Sequence, residues 1–491
     1  MIEPPKERTQ PRPKGAGPEI DPSILYVGRY GTLEMGEVFG PVQKIKYNLY
    51  VQGKSIEVLS RLHPDYVTPE KAAALIRTAN VPPVNPDRVR AIEAAKGHDQ
   101  IAINTVWEEE AEKACPGAGA HTNALKTTAD TSEPTNALQF SKGLKIIAGS
   151  VENLRDITLE RAALDWINIS HMDGTHLYDA VPTVVGRPFV HYAEMLHDDL
   201  DVIRFVYNHS LVGKWSDITG NHHSATDADI DGMELEEALC RELEIGHMTA
   251  SAQVPGREFS ADVMYSLART METVGNLAQY VAWGRSDDVN IFRFPLGKKG
   301  SSGMPHKDAK GGNPTTEEQA ESFESYINGC LATSMATCNM RYARDLTGSA
   351  SDRIIFEGAF KCADHAIRGM AEVMLKLQVN EDRSKERVKR SFDVITSPRI
   401  LTRITDPRKV GNPMKRSEAH DLLGKAATEA YTTKTEFANV LLTKPEITSR
   451  IPEAEIRRLT DPTGYIGRSK DIIEKVYKVC HAKKTFPEKT P

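Results

Sequence analysis

Beyond residue 140, apolar side chains recur at steps of three and four. Val263, Leu267, Met271, Val274, Ala278 and Val281 form one stripe, and Ala320, Phe323, Ile327, Leu331 and Met335 form another. Ile355, Ala359, Ala363, Ala366, Met370, Val373 and Leu377 form a third. Such steps put residues on one face of a helix. Helices this long must bury their stripes against each other or against other chains, so the pattern predicts a helical bundle. Strand-like alternation is scarce, and no internal repeat stands out.

Punctuation divides the rest. Residues 1–22 are rich in Pro, Gly and charge and lack the apolar surface that offsets ordering entropy, which predicts a flexible tail. Residues 23–120 mix short helical patterns with turn signals, among them Val81-Pro82-Pro83-Val84-Asn85-Pro86, which closes one helix and opens another near Asp87. They read as a small helical N-terminal domain, and residues 121–374 as the central helical bundle. From 375 to 491 helices look shorter, with breaks at Ser397-Pro398, Asp406-Pro407 and Gly411-Asn412-Pro413, which predicts a C-terminal helical domain.

Composition narrows the class. With 491 residues, 40% hydrophobic, 26% charged and a net charge of -6, the chain suits a large globular protein and gives no reason to expect nucleic acid or membrane as a partner. No run approaches the roughly 20 apolar residues of a membrane helix, and Met1-Ile2-Glu3-Pro4-Pro5 lacks the apolar core of a secretory signal, so a cytoplasmic location is expected. The six cysteines are dispersed without a C-x-x-C pair, as expected of reduced core residues rather than disulfides or a zinc site.

The candidate chemistry begins at Gly300-Ser301-Ser302-Gly303-Met304-Pro305-His306-Lys307, followed by Asn313-Pro314 and Glu317-Glu318. Glycines at 297, 300, 303, 311 and 312 give the segment the freedom of a catalytic loop able to close over a substrate, though Gly and Ser also make plain connectors. A second segment is Gly174-Thr175-His176-Leu177-Tyr178-Asp179-Ala180-Val181-Pro182-Thr183. Imidazole titrates near neutrality, so His176 can give a proton to a leaving group or serve as a structural hydrogen-bonding side chain.

The loop resembles the G-S-S-x-M-P-x-K-x-N-P segment of the fumarase/aspartase superfamily, whose members eliminate fumarate from a succinyl compound. The His176 segment resembles that superfamily's T-H-x-Q-x-A-x-P-T, with Tyr178 in place of Gln and Gly174 where many members have Arg. Thr131-Ser132-Glu133-Pro134 matches T-S-x-D in its first two residues only, and it can equally form a turn or cap. Asp308, Ala309, Lys310, Gly311 and Gly312 stand where the family has one residue, so Lys307 or Lys310 can hold the cationic role; Lys307 keeps its place after Met-Pro-His.

Within the superfamily the resemblance narrows to the adenylosuccinate lyase family. Arg29-Tyr30-Gly31-Thr32-Leu33-Glu34-Met35 resembles its R-Y-x-x-x-E-M opening, and Arg344, Ser349 and Arg353 its R-x4-S-x3-R, both of which contact a nucleotide phosphate there. Arg is a permanently charged bidentate donor suited to phosphate, although Arg344-Asp345 and Asp352-Arg353 can also be surface ion pairs. Lys96-Gly97-His98-Asp99 and Gln253-Val254 with Arg257 resemble the family's K-x-H-D and Q-V-x-x-R.

The resemblance implies an all-α, three-domain lyase whose central long-helix bundle assembles into a homotetramer with shared active sites, without metal or cofactor. It implies Ser302 as the base, with Ser301 second, His176 as the proton donor and Glu318 as its orienting partner. Arg29, Tyr30, His98, Asp99, Thr131, Ser132, Thr175, Gln253, Lys307, Asn313, Arg344, Ser349 and Arg353 are implied to hold a small succinyl nucleotide. Alternatives are another fumarate-releasing lyase, acting on argininosuccinate, aspartate or an unusual succinyl compound, and a catalytically silent relative.

Overall fold

The computed structural model describes residues 29–80, 85–296 and 301–481. The expected tail, the break at 81–84, and Gly297 and Gly300 lie outside them. The chain is all-α, with three minimal two-stranded sheets among the described residues.

Helix α1 (Pro41–Leu62) opens on a proline, whose missing N–H costs nothing in a first turn. A helix at Pro86–Lys96 begins where the turn signal predicted: Asn85 Oδ1 accepts the amide of Asp87 at 2.9 Å, and Gly97 closes the helix at φ 69°. Helix α2 (Asp99–Ala114) follows with His98 as its cap. These helices share a core, centred on Leu75, Val106 and Trp107, with Trp215, Leu235 and Leu239 from much later in the chain.

The main core is built by five long helices: α3 (Thr128–Glu160), α4 (Gly186–His209), α5 (Glu258–Arg285), α6 (Thr315–Thr337) and α7 (Ser349–Lys376). A hairpin of β1 (Ser170–Thr175) and β2 (Tyr178–Val184) sits between α3 and α4. After α7 come α8 (Glu381–Lys389), a separate cluster of shorter helices around Leu423, Phe437 and Ile456, and α9 (Ser469–Cys480), which returns to the main core through Ile473 and Val476. Among the described residues, no helix is long and apolar enough to cross a membrane.

The apolar stripes of α5 and α7 are buried throughout. That of α6 is buried at Ala320 and Ile327 but ends at Met335, 58% exposed. Helix α6 runs antiparallel to both flanking helices. Arg285 near the end of α5 pairs with Glu317 near the start of α6, whereas Asn328 reaches back to Glu272. Thr316 faces Gly369 of α7, and Thr337 faces Gly348. Phe140 and Ser150 of α3 meet Phe356 and Asp364 of α7, so these two run parallel. The bundle therefore has one end carrying the starts of α3 and α7 and an opposite end carrying the start of α6. Twenty residues of α7 separate Ser349 from Gly369, roughly 30 Å at 1.5 Å per residue.

Phe360 lies at the centre of this packing, 0% exposed, its ring stacked 4.7 Å from Phe39 and 5.8 Å from Phe140. A Cβ on Gly143 would stand 2.6 Å from it, so the helices approach there only through glycine. Phe360→Ala should cost about 3–5 kcal/mol, the transfer and cavity cost of an aromatic deletion. A urea titration followed by circular dichroism checks this through a lowered midpoint.

Candidate active site

The predicted site residues fall into two groups at opposite ends of the bundle. At the end where α3 and α7 begin, Asp99, Ser132, Arg344, Ser349 and Arg353 line a cavity of about 250 Å³. Arg353 Nη2 lies 2.8 Å from Asp99 Oδ2, so the arginine is already committed to a carboxylate. Burial pushes the Asp99 carboxyl up, but Arg353, the Gln100 amide and Lys44 outweigh it and leave the group below its ordinary range. Arg344 differs: its buried Nε has no hydrogen-bond partner. His98, beside this wall, caps α2 by accepting the amide of Ile101 at 3.5 Å.

Other residues of this wall were missed by sequence reading, namely Lys44, Thr128, Glu133 and Asp352. Arg257, read only as part of a motif, also lines it and pairs with Asp352. Burial pushes both Glu133 and Asp352 up against the pull of that arginine. Thr131, expected to hold substrate, is 1% exposed, its hydroxyl has no partner, and it is not in the cavity wall. The start of α3 explains this: Asp130 accepts the Thr127 amide at 2.6 Å in a capping box and holds the ammonium of Lys214 at 2.6 Å. The T-x-x-D order thus sits one turn earlier than read, with Thr128 facing the cavity. Gln253 is likewise outside the wall; its amide donates to Ala343 O at 3.3 Å, tying the approach to α5 to that of α7.

At the opposite end lie the serine loop, Glu318 and the His176 hairpin. Ser302 is exposed, and Ser301 Oγ accepts the Gly303 amide at 3.3 Å. Residues 305–310 form a short 3-10 helix, and Lys307 O accepts from Gly312 N at 3.1 Å. The segment that exceeds the family's spacing is pinned: Lys310 Nζ lies 2.5 Å from Asp287, and Arg285 donates to Gly312 O at 3.0 Å while holding the buried Glu317. Glu318, next in sequence, points outward.

Thr175 and Tyr178 pair across a two-residue turn in which His176 and Leu177 have φ of 54° and 66°. Such turns ordinarily use Asn-Gly, because a left-handed backbone crowds a Cβ. Thr175 and His176 are exposed, and Leu177 is 93% exposed. The hairpin base is firm: Asp179 accepts from Arg387 at 2.6 Å and Arg390 at 2.7 Å, and Ser384 Oγ donates to Ser170 O at 2.6 Å. A Cβ on Gly174 would stand 2.7 Å from Tyr178 O, so the hairpin as it is formed here favours glycine at this position.

Arg29 and Tyr30 belong to neither end. Tyr30 packs edge-on against Phe323 and His365 at 5.2 and 5.8 Å, halfway along α6 and α7, and Thr32 Oγ1 donates to Asp364 at 2.5 Å.

Residues 68–329 match the family model described as "Lyase", and residues 393–476 match "Adenylosuccinate lyase C-terminus". The chain belongs to the lyase family of the fumarase/aspartase superfamily. This lyase is similar to the adenylosuccinate lyases of Methanocaldococcus jannaschii, 26% identical over 93% of this chain and 96% of the relative, and of Pyrococcus abyssi, 25% identical over 91% and 96%. Its fold is that of a fumarate lyase from Mesorhizobium sp. BNC1 (TM-score 0.80, 20% identity, 91% of this chain and 98% of that one). It is also that of β-carboxy-cis,cis-muconate cycloisomerase from Acinetobacter calcoaceticus sp. ADP1 (TM-score 0.80, 16% identity, 93% and 100%).

The lyase carries one unusual lysine beside its cavity. Lys126, immediately before Thr127, is 6% exposed between Trp107 and Trp215, its ammonium 5.8 and 5.3 Å from the rings and without a hydrogen-bond partner. Burial pushes its pKa down to about 7, against the pull of Asp130. Between about 7 and 10.5 the unfolded chain therefore binds more protons at this residue than the folded one, so Lys126 makes stability rise with pH across that window. Lys126→Met should flatten that rise, read as melting temperature against pH from 7 to 10 for both proteins.

Proposed function

We propose that this lyase is a carbon–nitrogen lyase of the adenylosuccinate lyase kind, releasing fumarate from adenylosuccinate to leave AMP, and acting likewise on the succinyl-carboxamide imidazole ribotide of purine synthesis. The observation that carries the reading is the cavity in which Arg344, Ser349 and Arg353 meet Asp99, Thr128 and Ser132, its cations and hydroxyls suited to a phosphate-bearing anion. The full-length similarity to relatives of that name supports it.

In the reaction, Ser302 takes the proton from the carbon next to a carboxylate, and the electron pair collects on that carboxylate, where Lys307 and loop amides hold the charge. The pair then forms the carbon–carbon double bond of fumarate as the carbon–nitrogen bond breaks. His176 gives its proton to the departing nitrogen, with Glu318 favouring the charged imidazole. Ser301 is the second candidate base. No cofactor is required by this sequence of steps.

The two groups of residues stand roughly 30 Å apart along α7, too far to act on one small molecule. The reading therefore includes a homotetramer in the cytoplasm, in which the serine loop and His176 hairpin of some subunits meet the cavity of another. The exposed, firmly based His176 turn fits delivery to a neighbouring copy, as do Ile354 and Phe205, 68% and 59% exposed on the long helices. The pinned extra segment between Lys307 and Asn313 favours a second reading, a related lyase acting on a different succinyl compound.

Purified protein mixed with adenylosuccinate should yield AMP and fumarate in equal amounts. Ser302→Ala should lower kcat by about 100-fold or more, the scale of losing a positioned general base. Folded, oligomeric protein that forms neither product would sink the nucleotide reading and turn the search to other succinyl substrates and then to a silent relative.

A further inference from the structure

We propose that Lys44 is an anion-binding residue of the cavity, acting with Arg344 on the phosphate-bearing end of the substrate. The inference rests on the cavity being the nucleotide site proposed above and adds a residue that neither the motifs nor the comparisons single out.

The argument starts from which cations are free. Of the arginines facing the cavity, Arg353 is held by Asp99 at 2.8 Å, Arg257 by Asp352 and Arg90 by Asp87 at 2.5 Å, so much of their donor capacity is spent inside the protein. Lys44, on α1, and Arg344, ahead of α7, have no ion pair to an acid among the described residues, and the Nε of Arg344 is buried without a partner. Lys44 stands in the cavity wall, partly buried, within the fields of Asp99, Glu133 and Glu357 but bonded to none of them. Burial, and then the like charge of Arg353, push its pKa down.

An ammonium withdrawn from water and set near a guanidinium without a bonded counter-charge is unfavourable in the empty protein. A dianionic phosphate between Lys44 and Arg344 removes that cost by giving the ammonium and the guanidinium a shared counter-charge. A third contributor faces the same space. Ser349 is the first residue of α7, and that 28-residue helix has no side-chain cap; although the Ser349 amide donates to Leu346 O at 3.2 Å, the helix dipole adds to the attraction for an anion.

The test is calorimetric titration of the full-length oligomer with inorganic phosphate, alongside steady-state kinetics with adenylosuccinate. Lys44→Met should weaken phosphate binding tenfold or more, the scale of one charge-assisted hydrogen bond. Lys44→Arg should stay within a few-fold of the parent, and Arg344→Gln should share the methionine variant's defect. In turnover the loss should fall on KM more than on kcat. An unchanged melting temperature in Lys44→Arg guards against a purely structural effect.

Lys44 binding phosphate in a protein that fails to turn over adenylosuccinate would sink the proposed substrate and leave this site standing. Turnover of adenylosuccinate with the same phosphate affinity in Lys44→Met and the parent would overturn this inference alone. A parent that binds no phosphate would overturn it as well.

Discussion

The antiparallel packing of α6 between α5 and α7 is the constraint on which the rest depends. Three long apolar stripes can leave water together only if the helices lie side by side over most of their length, and glycine at 275, 358 and 369 lets them come close. Helices of this length are rigid rods. Once they are aligned, whatever stands at their ends is held apart by their length, so the serine loop and the Arg344 cavity are separated by the geometry of the core itself.

Charge fixes both ends of the rods. At one, Arg285 binds Glu317 and the Gly312 carbonyl, so the end of α5, the stem of the serine loop and the start of α6 form a single joint, with both charged side chains nearly buried. At the other, Arg257 and Asp352 join the start of α5 to the start of α7. Breaking one partner of such a buried pair leaves an uncompensated charge, which is far costlier than losing a surface pair. The Arg285 joint holds the stem that leads from the serine loop into α6, while Ser302 itself stays exposed.

The bundle was legible because it is written in local periodicity, and the helix start after Asn85 because turn chemistry is local too. The hairpin carrying His176 was not legible: its strands are short and its turn uses His and Leu where Asn and Gly are expected, so nothing in the sequence marks a reversal. Thr131 was misplaced because its neighbour Ser132 completes a plausible pair. The signal that corrects it was present in Thr127-Thr128-Ala129-Asp130, where an acid three residues after a threonine marks a helix start. Partnership between Arg353 and Asp99, and the union of the N-terminal helices with Trp215 and Leu239, join distant parts of the chain and leave no local trace.

The His176 turn shows how strain can point beyond one chain. Two consecutive L-residues with left-handed backbone cost of order 1–3 kcal/mol each and persist only where the surroundings over-determine them. Here the surroundings are all at the hairpin base: Asp179 clamped by two arginines, Ser170 by Ser384, and His171 by the hydroxyl of Tyr280 at 3.1 Å. The tip itself, with Leu177 and Tyr178 at 93% and 80% exposure, gains nothing from this chain that would offset such a cost. A strained, apolar, outward-facing tip on a firm base is what a residue needs if its working contacts are supplied from another molecule. The cavity at the far end gathers cations and hydroxyls but contains neither the candidate base nor the candidate acid, as the proposed sharing of sites between copies requires.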